Sequence, residues 1–266
     1  MHDLTAKQYD QLWIDNAPVR ADMQYRLDYY EGRHAIVGQD VQNLDGTTKA
    51  ERVANFIKAA IDLYTGSIAS KPYAVTAVEV DTVEGEESIP NEGPQEYREV
   101  GTYNNFDASD VSNLRNALIY GRGLELHEFI DNTIVVTSRD PMMWMRVQNS
   151  DGSLIGLIYR TKLEKGSFVG DEMLDEEREL MVVYTDKDVT SFTKQKGRNS
   201  GDWSEGERTP HNYGAVPAVI WRVNESYASH ITDDIIGQQD EYNEIDSSSG
   251  DQIRYDSDGV LAIKGY

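Results

Sequence analysis

Five histidines, His2, His34, His127, His211 and His230, are the side chains best suited to proton transfer or metal binding near neutral pH. No two stand at the spacing that places paired ligands on one helix face. Each therefore reads as a structural or exposed residue. Cysteine is absent, which removes thiolate nucleophiles, zinc–thiolate centres, iron–sulfur clusters and disulfides together. The 47 Asp and Glu residues put carboxylate pairs everywhere, so residue type alone selects no acid–base pair. A two-carboxylate hydrolase remains the enzymatic alternative, and it needs Trp13, Trp144, Trp203 and Trp221, dispersed in sequence, to converge as sugar platforms. Walker loops, H-E-x-x-H pairs and nucleophile elbows are missing. Gly121-Arg122-Gly123 lacks the third glycine of a dinucleotide fingerprint and reads as a helix C-cap with a tight turn. Asn149-Ser150-Asp151-Gly152-Ser153 has turn chemistry and fails as a calcium loop. No catalytic residue, metal ligand or cofactor is predicted.

The chemistry that remains is charge. A formal net charge of −22, with 25 basic residues against 47 acidic, opposes tight binding to DNA, whose affinity comes from Lys and Arg neutralising phosphates. It permits a surface past which DNA slides without adhering. On a helical wheel of about 100° per residue, the polar segment 231–256 places Ile231, Ile235, Tyr242, Ile245, Ser249 and Ile253 on one side. Asp233, Asp240, Glu244 and Asp251 fall on the other. An ordinary amphipathic surface helix has the same pattern, and Ser247-Ser248-Ser249-Gly250 weakens it.

The elements that must position these residues follow from periodicity. Thr5-Ala6-Lys7-Gln8 is a capping box, and Leu12 and Trp13 give the helix after it an apolar face. Pro18 starts a second helix presenting Val19, Met23, Leu27 and Tyr30 and ending at Gly32. A second capping box at Thr48-Lys49-Ala50-Glu51 leads into Val53, Phe56, Ile57, Ala60, Ile61 and Tyr64, stopping at Gly66. Residues 75–94 begin as a strand and turn into an acidic loop with Glu84, Glu86, Glu87 and Glu92. A helix around Val111, Leu114, Ala117 and Leu118 ends at Gly121. Three hairpins follow, 124–130 with 133–137, 143–147 with 154–161, and 180–185 with 189–193. Residues 195–212 read as a loop and 217–223 as a last strand. Helices followed by successive hairpins make the class α+β with a mainly antiparallel sheet. No basic, then apolar leader opens the chain, and no apolar run approaches the roughly 20 residues that span a bilayer.

The order of several motifs resembles the portal proteins of long-tailed bacteriophages. They are Tyr29-Tyr30-Glu31-Gly32-Arg33-His34-Ala35-Ile36, then 55–72 with Asp62, Gly66 and the closing Ser70-Lys71-Pro72-Tyr73. Tyr103-Asn104-Asn105-Phe106, the helix exit at 117–123, Asp140-Pro141, Tyr159-Arg160 and Val183-Tyr184-Thr185 come next. His211-Asn212-Tyr213-Gly214-Ala215-Val216-Pro217, Gln239-Asp240-Glu241-Tyr242-Asn243 and Leu261-Ala262-Ile263-Lys264-Gly265 complete the series. Serine and lysine at 70–71 replace a more usual glycine. The resemblance implies a wing over residues 1–225, a stem helix over 226–257 and the start of a clip at 258–266. It also implies a homo-oligomeric ring, a dodecamer, at one capsid vertex of the virion, assembled in the host cytoplasm. DNA would pass through it during packaging and ejection, and head–tail attachment would occur there. The implied partners are a terminase motor, major capsid or scaffold protein, a head–tail adaptor and transiting double-stranded DNA, with no membrane. Asp233, Asp240, Glu244 and Asp251 would then line the channel, and Ile235, Tyr242, Ile245 and Ile253 would pack between subunits. Family members continue into a returning stem helix, tunnel loop and crown, so at Tyr266 the chain is expected to be an incomplete portal. Another virion assembly or head–tail adaptor protein is the nearest alternative.

Overall fold

The computed structural model describes residues 4–34, 53–69, 76–77, 91–92, 95–130, 132–169, 172–195 and 202–257. Helix α1 (Ala6–Asp15) opens on the predicted capping box, with the Thr5 side chain accepting from the Gln8 backbone and the Gln8 side chain reaching back. Helix α2 (Ala17–Tyr30) carries Pro18 in its first turn and ends before Gly32, whose φ of +83° suits glycine. Its inward residues are Met23 and Tyr29, whereas Val19 is exposed. Helix α3 (Phe56–Ala69) runs through Gly66 instead of stopping there. Of its predicted stripe, Ile57 and Ile61 are buried, while Phe56 and Tyr64 face out. The second capping box and most of the acidic loop lie outside the described residues. Two short strands of that region, β1 (Thr76–Ala77) and β2 (Asn91–Glu92), pair antiparallel.

Helix α4 (Gln95–Asn104), which no strong apolar period announces, turns at the left-handed Asn105 into α5 (Phe106–Tyr120). Gly121 caps α5 at φ +79°, as its sequence indicated. The hairpins then appear as β3 (Gly123–Ile130) with β4 (Thr133–Arg139), and β5 (Trp144–Gln148) with β6 (Leu154–Leu163). After a small ribbon, β7 (Phe168–Val169) with β8 (Glu172–Met173), comes β9 (Arg178–Tyr184) with β10 (Asp188–Gln195). Residues 204–210, expected as loop, form β11 (Ser204–Pro210), zipped onto β10 by backbone pairing although every residue is exposed. Strand β12 (Ala218–Trp221) pairs with β3, and helix α6 (Asp233–Ser257) ends the described chain.

The strands assemble as a five-stranded sheet, β11-β10-β9-β6-β5, and a three-stranded sheet, β12-β3-β4. Alternation along β6 and β9 sends side chains to two separate cores. Ile158, Met181 and Val183 pack beneath α1 with Tyr9 and Phe192. Leu157, Tyr184 and Trp144 pack on the opposite face with Leu124 and Leu126 of the second sheet. A third core joins Tyr29, Ile57, Ile61, Leu118 and Ile119 of the helices to Ile231 and Ile236 at the base of α6. The free edge of β4 is closed by one amide, with Asn104 Nδ2 donating to the Ile134 carbonyl (2.9 Å) and Oδ1 accepting from the Val136 N–H (2.7 Å). The class is α+β, as read from the pattern of elements. No helix among the described residues is long and apolar enough to cross a membrane.

Candidate functional site

Helix α6 is seated by polar groups. Its inward face is Ile236, Gln239, Asn243 and Ser247, at helical spacing, and the last three are 4%, 0% and 0% exposed. The Gln239 amide brackets the chain just before α3, donating to the Ala54 carbonyl (2.7 Å) and accepting from the Phe56 N–H (3.0 Å). That N–H opens α3 and has no partner within the helix, only the Ala54 carbonyl just before it (3.1 Å), so Gln239 also acts as a cap supplied from another helix. Asn243 Oδ1 accepts from Gln239 Nε2 (3.0 Å) and the Ala54 N–H (3.3 Å), which turns its Nδ2 toward His34 Nδ1 (2.7 Å). His34 Nδ1 is then the acceptor, and Nε2 donates to the Tyr29 carbonyl (2.9 Å) while the ring stacks on Tyr29. The network has one self-consistent arrangement of donors and acceptors, which fixes the rotation of α6 as well as its position.

Two further ties flank this latch. Arg26 donates to the Ile231 carbonyl (2.8 Å) and pairs with Asp233 (2.6 Å). Tyr29 Oη donates to Asp240 Oδ2 (2.7 Å), and burial, followed by that carboxylate, pushes the phenol pKa up. Asp240 is the correction to the wheel: instead of standing in open solvent with the other acids, it is half-buried against α2. The reason is geometric. The buried face lies between the apolar and acidic sides, so neither side is wholly inward or outward.

The structure leaves Ile235, Tyr242 and Ile245 exposed along one flank of α6. Tyr242 meets Phe56 of α3 edge-on at 4.7 Å, and α3 adds exposed Leu63, Tyr64 and Ile68. Glu244 is exposed, as are Asp234 and Glu241 on the side farthest from the seat. The side chains of Asp251 and Ile253 lie outside the described residues. Ile231 belongs to the helical core and precedes the helix.

The histidines and tryptophans among the described residues have structural partners. His127 and Glu125 lie 2.8 Å apart, but Glu125 also accepts from Trp221 Nε1 (3.0 Å) and Asn113 Nδ2 (3.3 Å), which ties β3 to β12 and α5. Trp13 and Trp203 each face Arg160, at 5.8 and 5.0 Å, while Trp144 is buried in the core between the sheets. The four tryptophans form no shared platform. No metal-sized group of His, Asp and Glu occurs among the described residues.

The chain matches the family of phage portal proteins described as SPP1 Gp6-like over residues 15–266. It belongs to that family. No curated protein matches it. Portal proteins are structural components of the virion, and the match covers α2 to α5, both sheets and α6 in one span. The resemblance read from motif order is therefore correct at family level. The buried polar face of α6 was missed, and its signal was available: Gln239, Asn243 and Ser247 are uncharged residues repeating every four positions in a helix otherwise crowded with acids.

Proposed function

We propose that the chain is the subunit of a closed portal ring, a dodecamer, in which α6 is the stem helix lining the DNA channel. The body of residues 1–225 forms the wing, and residues 258–266 begin the clip. The observation that carries this is the division of α6 into a polar seat on its own body, an apolar flank left exposed and an acidic outward side. An apolar flank of Ile235, Tyr242 and Ile245, continued by α3, suits the next copy around the ring. Ile253 would extend that contact. Glu244 and Asp251, joined by Asp234 and Glu241, would become rings of negative charge on rotational repetition, with Asp233, exposed but paired with Arg26, adding less. Such rings repel phosphates over about one Debye length, roughly 8 Å at physiological salt, and centre DNA without binding it. Asp240, held by Tyr29, serves the seat and not the channel.

The ring sits at a capsid vertex assembled in the host cytoplasm. It serves DNA packaging, ejection and head–tail attachment, with a terminase motor, capsid or scaffold protein and adaptor as partners. It has no catalysis of its own, since the energy for DNA movement comes from the motor. Native mass measurement tests the ring: multimers of one closed size are expected, and Ile235→Ser with Ile245→Ser should shift them to monomers without lowering the melting temperature. DNA passage tests the channel, because Glu241→Lys with Glu244→Lys should slow transit and make it salt-dependent. A chain that is monomeric at every concentration and salt would contradict the proposal.

A further inference from the structure

Among the described residues, Arg26, Arg33, Lys58, Arg139, Arg160 and Arg208 each pair with a carboxylate. Arg122, Arg146 and Arg222 are different. Among the described residues, none of the three pairs with a carboxylate. Arg122 follows the α5 cap and is only 6% exposed. It points a guanidinium N–H at the Met23 sulfur (3.0 Å), and its Nε has no partner. Arg146 on β5 stacks over Tyr227 at 3.3 Å from the ring centroid, with one terminal nitrogen also unpartnered. Arg222, exposed just after β12, approaches the same ring at 5.3 Å.

Tyr227 holds this group in place from a backbone φ of +56°, a left-handed conformation that a bulky residue rarely adopts. Its carbonyl packs against Gly121 so closely that any Cβ there would collide with it. Burial, with Arg146 and Arg20 adding, lowers the Arg122 pKa to about 10. Guanidinium groups partly removed from water need a counter-charge, and the described residues supply none at that place.

We propose that Arg146 and Arg222, backed by Arg122, form a receptor for carboxylate side chains of a neighbouring copy of this chain. The planar guanidinium matches a carboxylate bidentately. A copy carrying a net charge of −22 offers carboxylates widely and repels a polyanion such as DNA. Copies of like charge also need local opposite-charge contacts in order to associate, and a cation already neutralised within its own chain cannot supply them. The inference rests on the ring reading, and its test separates the two.

Arg222→Glu with Arg146→Gln should weaken subunit association roughly tenfold or more while leaving the monomer's melting temperature close to that of the parent. In a mixture of isotopically light and heavy chains carrying Arg222→Lys, a carbodiimide should join the introduced lysine to an Asp or Glu of the other isotopic form. Rings that form normally in the double variant, with cross-links confined to single chains, would overturn this inference and leave the ring reading intact. A chain that never assembles and yields no cross-link between copies would overturn both. If the double variant loses affinity for duplex DNA at low salt while assembling normally, the site belongs to phosphates and the proposal is wrong.

Discussion

The sheet core and the seat of α6 solve the same problem, holding elements together, by opposite means. Between the sheets, Leu124, Leu126 and Leu157 are fully buried among apolar neighbours, and such contacts are strong but non-directional. Beneath α6, Gln239 and Asn243 are almost as deeply buried, yet they hold through amide hydrogen bonds that admit one rotation of the helix. Apolar packing gives the body its stability. The polar seat gives the helix a direction, which matters if one flank must meet a neighbour and another must face an axis.

The widest separation between the regions should come from Leu157→Ala. Loss of a fully buried leucine in the sheet core should cost about 2–5 kcal/mol and lower the whole chain's denaturation midpoint, measured by denaturant titration. Asn243→Ala should cost less globally, about 1–3 kcal/mol, because it unpairs buried partners in one place. Hydrogen exchange should then show the amides of α6 losing protection while β6 and β9 keep theirs. Equal loss in both regions would show that the seat and the sheet core are one cooperative unit. Tyr29→Phe is a finer cut. Removing the hydroxyl that bonds Asp240 and neighbours Tyr25 should cost about 1 kcal/mol and leave the His34–Asn243 pairing in place, visible as an unchanged imidazole environment by NMR.

The smallest effect is a pH dependence belonging to the body. The His127 hydrogen bond, then that of Trp221, hold the Glu125 carboxyl below its ordinary value of 4.5 against the opposing effect of burial. A lowered folded-state pKa contributes stability that is present above pH 4.5 and lost as the pH falls through the folded value. Melting temperature measured against pH should fall less steeply in that acidic window for Glu125→Gln than for the parent.

Much of the body was legible in the sequence. The hairpins declared themselves by alternation and turn residues, and the ends of α2 and α5 were marked by Gly32 and Gly121. Strand β11 was not, because its seven residues are all exposed and its strand state comes from backbone pairing to β10, which leaves no apolar alternation to read. Helix α3 continued through Gly66, where a Cβ would meet only open space, so the residue imposed no turn. The candidate site was half legible. A wheel that assigns apolar residues to the inside found the exposed flank of Ile235, Tyr242 and Ile245 and the acids across from it. It could not find a buried face made of amides, nor that Asp240 turns toward Tyr29, because those follow from partners some 190 to 210 residues away.

The orientation of α6 in an assembled ring, read from an electron-microscopy reconstruction, tests the central proposal most directly. Glu241 and Glu244 should face the axis, with Ile235, Tyr242 and Ile245 against the adjacent copy and Gln239 and Asn243 still on their own body. A ring in which the apolar flank faces the open channel, or in which α6 leaves its seat and lies on the outer surface, would contradict it.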